Sequence, residues 1–222
     1  MQHNIPKLCA DSLRSYLNDK YGIKLKSGHA HEIVAAFFGY KSRIAMLADK
    51  KYPVINLDKA KFILLDPPTP FVDQRLKSLE GLSPDLPSSY ILAEGVYSVI
   101  TGHNELLEKV WPTFTDLATH LAEQRLHQRL SMFKIDSASI KWEMVVDTEL
   151  KDGGVLLTVD AGYRTDAGEH LKDSKYTIHL PRVAANLGYG TPKVDETRYS
   201  GDAARYSDEE LLKRYPIPAV IA

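Results

Sequence analysis

Cysteine occurs once in the 222 residues, at Cys9. A single thiol closes no internal disulfide, which fits a reducing compartment, and a cytoplasmic location is expected. No neighbouring acid or base marks Cys9 for activation as a nucleophile. Long apolar runs are also missing. The longest, Ile33 to Phe38 (IVAAFF), is far below the roughly 20 residues that span a bilayer. The start, MQHNIPKLCADSLRSYL, lacks the basic-then-apolar plan of a signal peptide. No membrane partner is therefore expected. Internal repeats, low-complexity tracts and heptads are absent. So is a large net charge: the formal value of −1 leaves no global field to draw the chain to nucleic acid.

The composition, 44% hydrophobic and 26% charged, is that of an ordinary globular chain. Its small net charge conceals an asymmetry. Residues 1–51 hold nine Lys or Arg against four Asp or Glu, a balance of +5, and the remainder balances at −6. The stretch Ser27 to Leu47 reads as two short helices around one glycine. Ser27 is expected to cap the first, with Ile33, Val34, Phe37 and Phe38 on its apolar face. Gly39 supplies the positive φ that ends it, and Ser42 caps the next. A helix over Lys7 to Tyr21, closed by Gly22, precedes them. The expected core of this head, residues 1–52, is Leu13, Leu17, Ile33, Val34, Phe37, Phe38 and Leu47.

Beyond Tyr52-Pro53 the pattern weakens. NLDKAKFILLD, from Asn56, fits either a helix or a strand. DPPTPFVD, from Asp66, reads as a rigid connector, and VDQRLKSLEGL as a short helix ending at Gly81. Residues 53–89 are expected to be a linker and 90–222 an α+β domain. Within that domain a helix capped by Asn104 runs to Val110, and a longer amphipathic helix covers about 113–132, with Phe114, Leu117, Leu121 and Leu130 as core contacts. The period then changes to 2. Ile140, Trp142, Met144, Val146 and Leu150 alternate with charged residues. Asp152-Gly153-Gly154 marks a tight hairpin. Val155, Leu157, Val159, Ala161 and Tyr163 share one face of the return strand, and KYTIHL (Lys175 to Leu180) is the third. An antiparallel three-stranded meander packed on the long helix is expected. Ser207-Asp208-Glu209-Glu210 fits a capping box for a final helix that Pro216 stops.

The Leu13–Leu17 helix, the Gly-Ile-x-Leu link at Gly22 to Leu25, Ser27, Ala30-x-Glu32, Gly39-Tyr40-x-Ser42 and Leu47 together resemble a small bacterial helical module. That module occurs in glyoxalase-related, glyoxalase-superfamily proteins, and some relatives look like accessory proteins of plasmids and integrated mobile elements. The resemblance covers residues 8–50 and rests on packing positions. It departs at Arg43-Ile44-Ala45, where many relatives carry an aromatic after the serine. It therefore implies a helical fold and not glyoxalase chemistry, which needs paired βαββ units with metal ligands on opposing strands.

Several groups of residues bear on chemistry. The head is helix-turn-helix-like: Ala35 precedes Gly39 by the four residues such DNA readers use. Its third helix would present Lys41, Arg43, Lys50 and Lys51 to phosphates. The buried positions expected six and nine residues after Gly39 are only Ala45 and Ala48, with the bulkier Ile44 and Leu47 one residue earlier. His29 and His31 point to different faces and make no helical zinc pair. Asp147, Glu149, Asp152, Asp160 and Asp166 gather around the hairpin, and with His179 could form an acid/base site. Gly188-x-Gly190 lacks the rest of a phosphate cradle. No catalytic residue, metal site or cofactor is expected. The expectation is a bacterial accessory protein that binds or regulates through protein–protein contacts. DNA binding through the head is the alternative, and a small hydrolase or lyase with an acidic/His site on the meander is the second.

Overall fold

The computed structural model describes residues 4–65, 69–132, 142–164 and 170–199. Helices occupy the first half, and a mostly antiparallel set of strands follows, so the α+β expectation holds. The chain forms two compact units: residues 1–113 with 181–191, and residues 114–180 with 192–222.

In the first unit, α1 (Ile5–Tyr21) starts where Asn4 Oδ1 accepts the Lys7 amide at 3.2 Å and closes at Gly22. Next come α2 (Ser27–Phe37) and α3 (Arg43–Ala48). Ser27 is the first residue of α2 and Lys26 occupies the cap position without a side-chain bond, so the expected serine cap is not made there. Ser42 does cap α3, its Oγ accepting the Ala45 amide at 3.1 Å. The ambiguous segment after Pro53 resolves into both alternatives, a 3-10 helix (Val54–Lys59) and then β1 (Phe62–Leu64). Asp66 to Pro68, the start of the proline connector, lie outside the described residues. Helices α4 (Thr69–Ser78), α5 (Ser89–Thr101) and α6 (Asn104–Leu107) lead to β2 (Val110–Trp111). The helix expected from Asn104 to Val110 thus stops after one turn, and its last residue pairs in parallel with Ile63 of β1.

Residues 1–52 do not form a separate head. Helix α1 packs on α5 as well as on α2, and α2 also meets α4 and α5. One core joins Leu13, Leu17, Ile33, Val34, Phe37 and Phe38 to Leu92, Val96 and Ile100. The apolar surface of α5 needs a partner, and α1 supplies it. This is why the compact units depart from a division at 52 and 89.

The second unit opens with α7 (Phe114–Met132), whose Leu117, Ala118, Leu121, Ala122 and Leu126 are buried. Phe114 is half-buried, and the side chain of Leu130 lies outside the described set. Helix α7 packs on β3 (Trp142–Lys151) and β4 (Gly154–Arg164). These strands pair antiparallel with Trp142 opposite Tyr163, Met144 opposite Ala161 and Val146 opposite Val159, joined by the tight turn Asp152-Gly153. Next to β4 lies β5 (His170–Ala184), followed by β7 (Lys193–Arg198). Val155, Leu157, Val159, Ala161, Tyr176, Ile178 and Leu180 are all buried on the expected face. Leu150 departs from it, at 71% exposed beside the turn. Strand β5 runs on past Leu180, and its end pairs with β6 (Gly188–Tyr189) of the first unit, which in turn pairs with β1. The capping box at Ser207, together with Ile140, Lys141 and Asp166, lies outside the described residues.

Candidate docking surface

Helix α3 is held at both ends by buried or half-buried polar groups. At its start, Glu32 of α2 accepts the Arg43 amide at 3.0 Å and binds Arg75 of α4 at 2.7 Å. Burial alone would push the Glu32 carboxyl up, but these two bonds and the charges behind them hold it below its ordinary range. At its end, Asp49 accepts the amides of Lys51 and Tyr52 at 2.8 and 2.9 Å and the Tyr40 hydroxyl at 2.7 Å. Burial opposes ionisation of Asp49 as well, and the same three bonds overcome it.

The approach to α3 is fixed by Gly39, at φ +84°. A Cβ there would lie 1.9 Å from Asn186 Nδ2. The Asn186 amide donates to the Phe38 carbonyl at 3.3 Å, and the Ala185 amide to the Tyr52 carbonyl at 2.8 Å. The turn before β6 is thereby fastened to both loops that flank α3.

Held this way, α3 turns only Met46 into the core. Ile44 is 77% exposed and Leu47 70%. The expectation that Leu47 belongs to the core is overturned. With Met46 inward, a residue one position on lies about 100° around the helix. Beside this face runs an open groove of about 390 Å³, lined by Ile5, Pro6, Met46, Leu47, Val54 and Ile55 among others. Ile55 adds a third exposed apolar side chain, at 53%. Leu47 and Ile55 stand in the groove wall, and Ile44 lies three residues before Leu47 on α3.

Lys41, Arg43, Lys50 and Lys51 are all exposed, as a phosphate-contacting set requires. The sequence also presents Ile44 and Leu47 on the same six-residue helix, and on a base edge these could meet only a thymine methyl group.

The other constellations make no comparable site. Cys9 is buried and its thiol is pushed up to about 12 by burial, so it stays protonated. Burial, reinforced by the Arg43 charge, lowers the His31 pKa. Among the described residues no group of three or more His, Cys, Asp or Glu could hold a metal ion, and no helix is long and apolar enough to cross a membrane. On the outer face of the second unit, Asp147, Glu149 and His179 are exposed, while buried Asp160 accepts the Tyr199 hydroxyl at 2.8 Å. Sequence patterning does not reveal Arg129. It is buried on α7 and binds Ser174 and Glu196, each at 2.7 Å, and also Asp173. Both carboxylates are engaged by the guanidinium, so the cluster reads as a buried ionic clasp.

Compared with known proteins, the chain matches no family model, no curated protein and no solved structure.

Proposed function

We propose that this chain is a bacterial accessory protein that acts by docking a partner protein on the exposed face of α3 and the groove beside it. The observation that carries the reading is that Leu47 and Ile55, both more than half exposed, line a largely apolar groove, with exposed Ile44 three residues before Leu47 on α3. A small apolar ligand would fill the groove and still leave Ile44 in water. A protein segment covers both, and burying three such side chains contributes about 1.5–3 kcal/mol each before the costs of association.

The test uses a photo-crosslinking residue at position 44 of the full chain, expressed in its native cells. A partner is expected to be captured in defined stoichiometry. Its purified form should bind the unmodified chain and Tyr90→Asp, and lose binding at least about tenfold to Leu47→Asp and Ile55→Asp. Tyr90 is 72% exposed on α5, which makes it a fair control. Binding that is indifferent to Leu47 and Ile55 overturns the proposal. So does retardation of DNA at low salt that Lys41→Ala and Arg43→Ala abolish, which would transfer the site to nucleic acid.

A further inference from the structure

The charges around α3 narrow what can sit there. The two acidic groups beside α3 are engaged within the fold: Glu32 binds Arg75 and the Arg43 amide, and Asp49, which also stands in the groove wall, accepts from Tyr40 and two backbone amides. Cations face out. Lys41 precedes α3, Lys50 and Lys51 follow it, and Lys7 stands next to Pro6 in the groove wall, all exposed. Lys41 and Lys50 make no ion pair among the described residues.

A second hollow, of about 230 Å³, opens at the other end of the helix. It is lined by Lys41, Phe71, Gln74, Arg75 and Ser78. Arg75 ties it to the start of α3, because the Glu32 carboxylate that binds Arg75 also accepts the Arg43 amide. The six residues of α3 span about 9 Å. An apolar groove at one end and a cationic hollow at the other are therefore separated by about two turns of helix.

Resting on the docking reading above, we infer that the occupant is an amphipathic helix of a partner protein, with a bulky apolar residue for the groove and a carboxylate about two turns away for the Lys41 hollow. The ridge formed by Ile44 and Leu47, three residues apart on α3, is of the kind that seats between the side-chain ridges of a second helix. Carboxylates flanking the partner's apolar stripe meet Lys41 on one side and Lys50 on the other. Basic flanks would meet like charge and be rejected.

Two synthetic helical peptides decide the matter. They share one Leu/Ile ridge and differ only in carrying Glu or Lys on its flanks, and fluorescence anisotropy reads their binding to the full chain. The Glu-flanked probe is expected to bind at least about tenfold tighter, with the advantage shrinking as salt rises from about 50 to about 200 mM. The doubly reversed variant Lys41→Glu/Lys50→Glu should invert the preference, and Leu47→Asp should abolish both complexes. Equal binding of the two probes, lost in Leu47→Asp, overturns the acidic partner while the docking reading stands. If neither probe binds, the helical acidic occupant is overturned, and the crosslinking result at position 44 then decides the docking reading separately.

Discussion

Gly39 answers to two demands at once. Its φ of +84° lies where a Cβ is strained, and the space a Cβ would take already holds the side chain of Asn186. Gly39→Ala should lower stability by more than about 1 kcal/mol in urea unfolding. Adding Asn186→Ala should return only part of that, because the clash is relieved and the dihedral is not. Glu32 sets a pH dependence. Its folded pKa lies below the ordinary carboxylate value of about 4.3, so the stabilisation is complete above that value. It is lost as pH falls from there through the folded value. Glu32→Gln should therefore flatten the decline in stability below about pH 4.3, and an unchanged acid limb would show that the Arg75 bond carries no weight. The sequence discloses Gly39 as a helix stop because that role is local. It cannot disclose Asn186, which arrives from almost 150 positions away.

At the level of elements, legibility follows the period. Strands β3 and β4 carry apolar residues at every second position with few exceptions, Thr148 on the inner face and Val145 and Leu156 on the outer, so their shared face and hairpin can be read directly, as can the helix that covers them. Helix α5 is harder. Its buried set runs Ser89, Leu92, Ala93, Gly95, Val96, Tyr97 and Ile100, too broad for a clear polar stripe. Strand β7, KVDETR, carries almost no apolar signal and is defined by its pairing with β5. Arg129 sits among polar helix residues and reads as solvated, since its partners Asp173 and Glu196 are 44 and 67 residues away. Arg129→Met should cost about 3 kcal/mol in equilibrium unfolding, the low end for breaking a buried pair, because both carboxylates keep about a quarter of their exposure. A loss under about 0.5 kcal/mol would mean that the carboxylates rehydrate freely once the guanidinium is gone. The docking face was half legible. The residues of α3 read as a helix, but the phase read for it, with Leu47 inward, is wrong, because six residues are too short a window for periodicity to fix which one turns inward.

At the scale of the molecule, the first unit is discontinuous: residues 1–113 are completed by 181–191. The returning segment contributes Ala184, Ala185 and Leu187 to the core, pairs Tyr189 with Phe62, and brings Asn186 against Gly39. A division by composition places the helices in one domain and the strands in another, and no local pattern shows a chain coming back. There is a consequence in time. At about 5–20 residues per second, roughly 80 residues must still be synthesised after Thr113 before the missing piece exists, a delay of about 4–16 s. Throughout that interval the edge of β1 that β6 pairs with, and the core residues that Leu187 joins, lack their native cover. A ribosome-bound chain stopped near residue 130 should therefore be cleaved by protease within the 1–113 region, whereas one stopped beyond residue 230 by an added linker should resist. Equal resistance at both lengths would mean that the helices stand alone. The order of synthesis thus makes the eleven-residue return at 181–191 the latch of the unit that carries α3.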